Sequence, residues 1–209
     1  VPDRLMLNIF ARASVSRVTD PIGAALVRLG LTPNAMTLFG TAATIAGALW
    51  LFPTGHLLAG TFVVWGFAMF DLLDGSMARA LGGGTKFGAV LDASCDRLAD
   101  GALFSAIVWY LLVETDHPVL AVAALINLVL AQVVSYIKAR AEASGFTSAD
   151  GGLVERAERL IITLVGTGLT GLGVPYALDV ALWLCAAGSV VTVVQRVLAV
   201  RREALGTAA

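Results

Sequence analysis

Six apolar runs, at about 35–52, 57–75, 91–113, 118–138, 159–173 and 175–195, take up most of this 209-residue chain. A helix of roughly 17–25 apolar residues crosses the hydrocarbon core of a bilayer. Within lipid such a helix also pairs its backbone amides internally, which an open strand cannot do. The fifth run is short unless its helix begins before Glu155. Only 14% of the residues are charged, against about 25% in a soluble domain, too few to cover a surface facing water. The expectation is an all-α integral membrane protein: six transmembrane helices plus an N-terminal amphipathic interfacial helix, forming a single domain over 1–209.

The placement of charge sets the expected orientation. The connections PTGH (53–56), ETDH (114–117) and GLGVPY (171–176) hold no Lys or Arg, so all 14 basic residues fall in the opposite set of segments. The positive-inside rule then puts both termini in the cytoplasm. Residues 1–34 carry four arginines and no apolar core of roughly 7–15 residues, so they are not expected to act as a secretory leader. Within a juxtamembrane segment at 3–30, Leu5, Ile9 and Phe10 alternate with Arg4, Arg12 and Arg17 at helical spacing, a pattern that suits a helix lying on an anionic membrane surface. Cys95 and Cys185 lie in expected helices and read as small core residues. His56 and His117 stand singly and suggest no metal site.

Against this background residues 70–100 are anomalous, because they bring five aspartates to the edge of an apolar environment. An Asp in mid-membrane costs about 2.5–3.5 kcal/mol even on insertion scales. Asp71 and Asp74 are three apart and share a helix face; Asp92 and Asp96 are four apart and share a face of the next helix. The intervening RALGGGTKF lets the chain reverse, so the two pairs can face each other. Arg79 and Arg97 could neutralise at most two of the acids. Divalent cations resolve the remaining repulsion, and an all-oxygen donor set favours Mg²⁺, Mn²⁺ or Ca²⁺ over zinc. Two such ions could activate an attacking oxygen and stabilise charge on a phosphate. Gly75, Ala78 and Gly88 leave room on the same faces for a bulky ligand, and Arg79 can grip phosphate oxygens. A cation transporter would need acids through the membrane depth, whereas these gather near one face; that reading is the remote alternative.

The pattern Asp71-x2-Asp74-Gly75-x2-Ala78-Arg79-x8-Gly88-x3-Asp92-x3-Asp96 matches every fixed position of the CDP-alcohol phosphotransferase signature. The chain resembles that family over its whole length. The resemblance implies a homodimeric multi-pass enzyme of the cell membrane, with its active site in the cytoplasm. Such an enzyme moves a phosphatidyl-type group from a CDP-linked lipid, here CDP-diacylglycerol, to an alcohol and releases CMP. It implies that Asp71, Asp74, Asp92 and Asp96 hold Mg²⁺ or Mn²⁺ as two ions, and that Asp96 also deprotonates the attacking hydroxyl. Gly75, Ala78 and Arg79 would line the CDP-lipid site with Gly88. LTPNAMT at 31–37 looks like the family's entry to the first helix. Asn34, Thr37 and Thr85 are candidate nucleotide contacts, each also readable as a cap or turn residue. Asp100, outside the signature, reads as a structural hydrogen-bonding acid.

The acceptor must be chosen by residues elsewhere. Ser135, Lys138 and Arg140 stand near one end of the fourth run, Arg156 and Arg159 at the start of the fifth, and Arg196 at the end of the sixth. Together they read as a basic pocket for an acceptor that already carries a phosphate. Glu155 and Glu158 could pair with these arginines, and positive-inside anchoring accounts for Arg201 and Arg202. SYIKARAEASG with ERAERLII is similar to the phosphatidylinositol-phosphate synthases of actinobacteria, implying inositol phosphate as acceptor. Glycerol 3-phosphate, giving phosphatidylglycerophosphate, is the alternative. Lipid is the surrounding medium, and nucleic acid is not expected as a partner.

Overall fold

A computed structural model describes residues 19–207. The expected interfacial helix, read on residues 4–18, lies outside that range; residues 19–28 form a helix labelled α1. The helices that follow are α2 (Pro33–Leu51), α3 (Leu57–Ala68), α4 (Phe70–Ala80), α5 (Lys86–Trp109), α6 (Pro118–Ala143), α7 (Arg156–Gly171) and α8 (Ala177–Thr207). A π-helical turn, Tyr110–Glu114, extends α5. No strand occurs among the described residues.

Local chemistry explains where these helices begin and turn. Thr32 Oγ1 accepts the Ala35 amide at 3.2 Å, and Pro33 follows it, so α2 opens on a capping hydroxyl with a residue that needs no amide partner. The reversal after α4 uses Gly82 and Gly83 at φ +89° and +132°, where a Cβ would be strained. Thr85 then caps α5 by accepting the Gly88 amide at 2.9 Å. At α7 a reciprocal capping box joins Glu155 and Glu158, so the helix starts at Arg156 and does not extend before Glu155.

Among the described residues, four stretches are long and apolar enough to cross a membrane: Pro33–Leu51, Leu57–Ala80, Pro118–Ala143 and Ala177–Gly206. The second joins α3 and α4 through Met69. Two expected spans differ from these in kind. Helix α5 carries Lys86, Asp92, Asp96, Arg97 and Asp100 in its first 15 residues, and α7 has only 16 residues in all. Large apolar side chains such as Trp50, Phe62, Trp65, Trp109 and Val129 are exposed, as lipid-facing positions require.

The chain forms two compact units, one made of the residues up to Ile45 with Val64–Ala99, the other of Ala46–Val63 with the residues from Asp100 onward. In the first unit Gly23 of α1 lies directly against Ser76 and Met77 of α4, leaving no space for a Cβ. Phe39, Phe67 and Phe70 form an aromatic cluster with centroids 5.4–6.0 Å apart. In the second unit α6 and α7 both pack along α8. Small residues permit that approach, Gly166 against Ala181 and Gly188 against Val154. A buried polar group pins α6 to α8, where Asn127 Nδ2 donates to the Leu182 carbonyl at 2.8 Å, and a 2.7 Å hydrogen bond between Thr61 and Thr167 ties α3 to α7.

Candidate active site

The reversal between α4 and α5 sets two aspartate-bearing helices side by side. Asp71, Asp74 and Asp92 converge, with one oxygen of each within 4.8 Å of the others. Asp96 is not one of this trio. It lies one turn further along α5, with an oxygen 3.8 Å from Arg97 Nη2. Asp74 is the most enclosed of the three and accepts a hydrogen bond from Thr37 Oγ1, which also bonds the Pro33 carbonyl at 3.1 Å. Thr37 thereby fixes one carboxylate from α2, and its exposed bonding capacity toward a ligand is correspondingly reduced.

Beside the trio is a cavity of about 630 Å³, within the roughly 300–1,000 Å³ of typical ligand sites. Its walls include Asn34, Thr37, Gly75, Ala78, Thr85 and Gly88 together with Asp74 and Asp92. At Gly88 a Cβ would sit 3.1 Å from Thr85 Oγ1 and 3.2 Å from Asn34 Oδ1, so glycine keeps this corner open. Arg79 turns to Asp20 of α1, with Nη2 2.7 Å from Oδ1, and both side chains are about half exposed. Lys86 also lines the cavity. Sequence reasoning passed over it, although its position beside Thr85 in the glycine-rich turn was a usable signal. Asp20 could not be found that way, because it lies 59 residues from Arg79.

The donor set fits a hard divalent cation: three carboxylates from two helices, clustered closely enough to repel strongly when all are ionised. No nitrogen or sulfur ligand takes part in the cluster, which disfavours zinc.

In the second unit the basic residues are arranged differently. Arg159 is 2% exposed and donates from Nη2 to Asp100 Oδ2 at 3.1 Å; Arg156 is 28% exposed, with Nε 3.6 Å from Asp100 Oδ1. Arg196 is 6% exposed and reaches the Val134 carbonyl (2.6 Å), the Gly151 carbonyl (3.1 Å) and Glu155 Oε1 (3.0 Å). Lys138, 44% exposed, pairs with Asp150 at 2.5 Å and lies 3.9 Å from Glu142. Ser135 Oγ donates to the Ala131 carbonyl of its own helix at 3.1 Å. Arg140 lies in the last turn of α6. Asp150 was not anticipated from sequence; hydrogen bonding and attraction from Lys138 hold its carboxyl below the usual range.

Comparison with known proteins bears out the family expectation. A family model described as CDP-alcohol phosphatidyltransferase matches residues 30–194. The chain is 56% identical over 192 residues to a phosphatidylinositol phosphate synthase of Corynebacterium glutamicum, covering 91% of this chain and 87% of the relative. It is 55% identical over 197 residues to the enzyme of that name from Mycobacteroides abscessus, covering 94% and 89%. The Mycobacterium tuberculosis phosphatidylinositol phosphate synthase solved with CDP-DAG bound superposes with a TM-score of 0.84 at 55% identity, over 88% of this chain and 94% of that one. The same protein in complex with manganese and citrate also gives 0.84, at 54% identity and 88% coverage of each.

Proposed function

The chain belongs to the CDP-alcohol phosphatidyltransferase family, and on that premise we propose that it transfers the phosphatidyl group of CDP-diacylglycerol to inositol phosphate, yielding phosphatidylinositol phosphate and CMP. The observation that carries this reading is the convergence of Asp71, Asp74 and Asp92 beside a cavity walled by the signature's small residues. Relatives at 55–56% identity that bear the synthase name support the choice of acceptor.

Asp71, Asp74 and Asp92 would hold divalent metal, with Asp96 completing the set for a second ion; Mg²⁺ and Mn²⁺ both suit the oxygens. Bound metal would neutralise phosphate charge and favour in-line displacement. The chain's own residues do the rest. Thr37 orients the Asp74 carboxylate, while Gly75, Ala78 and Gly88 admit the nucleotide against the backbone. Arg79 exchanges Asp20 for a diphosphate oxygen, a charge-assisted contact. Asp96 accepts the proton of the acceptor hydroxyl as that oxygen attacks the β-phosphorus.

The acceptor's phosphate would be held by the basic group, with Lys138 and Arg156 as its contacts because their side chains keep exposed surface. Ser135 and Arg140 would flank it. Arg159 and Arg196, almost wholly buried, would act behind that front. In the bilayer we place α5 and α7 as the third and fifth of six spans, alongside the four apolar stretches, with termini and active site in the cytoplasm, as the distribution of Lys and Arg favours. The functional unit would be a homodimer, following the family resemblance.

The deciding experiment measures CMP release from CDP-diacylglycerol with inositol phosphate, inositol, glycerol 3-phosphate and serine side by side. Inositol phosphate is expected to give the highest kcat/KM. A preference for glycerol 3-phosphate or free inositol would overturn the acceptor while leaving the family chemistry in place.

A further inference from the structure

We propose that Asp100 is a positioning residue for Arg156, with Arg159 as the buried cation that holds the Asp100 carboxylate in place. This rests on the reading of Arg156 as a contact to the acceptor's phosphate. Arg156 and Arg159 are three residues apart and so share one face of α7. Asp100, on α5, lies against that face with a side chain only 5% exposed. Its two oxygens are divided between the arginines, Oδ2 to Arg159 at 3.1 Å and Oδ1 to Arg156 at 3.6 Å.

The two contacts differ in kind. The Arg159 contact is a hydrogen-bonded ion pair sealed from water. The Arg156 contact is longer than a hydrogen bond and joins the buried acid to a partly exposed side chain. Arg159 takes the enclosed side of Asp100, and Arg156 is the arginine of the pair whose side chain reaches the surface.

A simple structural stitch predicts different kinetics from a positioning role. Removing both buried charges together, as Asp100→Asn with Arg159→Met, avoids stranding either one. Assayed in the full-length enzyme in lipid vesicles, this double variant is expected to raise KM for inositol phosphate about tenfold, the scale of one mis-set charge-assisted contact. KM for CDP-diacylglycerol and kcat should stay within about twofold. Asp100→Glu keeps the charge but moves the carboxylate by one methylene, and should raise the same KM by a smaller factor. It decides the matter alone if the double variant does not fold. Wild-type KM for inositol phosphate in these variants, or a parallel loss of kcat and both KM values, would overturn the proposal. Arg156→Gln separates the two levels. If it leaves KM for inositol phosphate unchanged, the acceptor reading fails; if it raises that KM while the Asp100 variants do not, only the positioning role fails.

Discussion

The two charged regions solve opposite problems. In the first unit like charges are gathered: Asp71, Asp74 and Asp92 bring oxygens within 4.8 Å of one another. Two unit charges about 4 Å apart repel by roughly 4 kcal/mol at an effective dielectric of 20. In the second unit opposite charges are matched: Arg159 with Asp100, Arg196 with Glu155, and Lys138 with Asp150. The carboxylate cluster is an arrangement that a cationic ligand relieves, whereas most cations of the basic cluster already have a carboxylate partner. A ligand can engage the latter only through side chains that keep exposed surface, Lys138, Arg140 and Arg156. The comparison therefore separates residues that bind from residues that hold, which a list of basic positions does not.

The largest expected effect tests whether the carboxylate region extends to Asp96. Asp96→Asn keeps the side chain's shape but cannot take up the acceptor's proton. Turnover should fall by about 10²–10⁴-fold, the usual contribution of general base catalysis, with CDP-diacylglycerol binding largely retained. Near-normal kcat in the purified variant would remove Asp96 from the base role and confine the site to the convergent trio.

The next two predictions set the regions against each other in stability. Asp100→Asn alone leaves Arg159 buried without its counter-charge, which should destabilise the fold by about 3–5 kcal/mol in a denaturation series. Asp71→Asn should do the reverse in chelated protein, raising its melting temperature because one member of a repelling cluster is neutralised. The same variant should lose most of the stabilisation that Mn²⁺ or Mg²⁺ gives the wild type. For a tightly bound ion at about 100 times its Kd, that stabilisation is roughly 2.7 kcal/mol. If both substitutions destabilise the metal-free protein equally, the contrast between a strained and a balanced region is wrong.

Much of the first region was legible in the sequence because its contacts are local. Helical spacing pairs Asp71 with Asp74, the glycines at 82–84 announce a reversal, and that reversal brings Asp92 back. The cap role open to Thr85 is realised. Helix α7 was harder: an apolar count makes it a short span, and only the Glu155–Glu158 capping box shows where it begins. The second region resisted reading because its partners are remote. Asp100 meets Arg159 across 59 residues, and Arg196 meets Glu155 across 41. Sequence supplied the cations and even suspected Glu155 and Glu158 as partners, but which arginine is buried depends on tertiary packing. Asp20 escaped notice for the same reason; it reaches Arg79 only because Gly23 lets α1 lie on α4.

The smallest effect belongs to the one ion pair that should open when acceptor arrives. Lys138 and Asp150 are both substantially exposed, so their pair stabilises the fold by no more than about 1 kcal/mol. The sign of its pH dependence follows from the Asp150 carboxyl being held below its ordinary value by Lys138. A depressed carboxyl contributes stability that is present above the unfolded value of about 3.9 and fades as pH falls through the lower folded one. The melting temperatures of wild type and Asp150→Asn should therefore differ slightly at neutral pH and converge in acid below about pH 4. In kinetics the same substitution releases Lys138 from a competitor of the acceptor's phosphate. KM for inositol phosphate should fall by a small factor, about twofold to fivefold for a surface pair, with KM for CDP-diacylglycerol unchanged. A rise in KM for inositol phosphate would mean that Asp150 orients Lys138 for the acceptor, as Asp100 is proposed to do for Arg156, and the basic region would then contain two held cations and no released one.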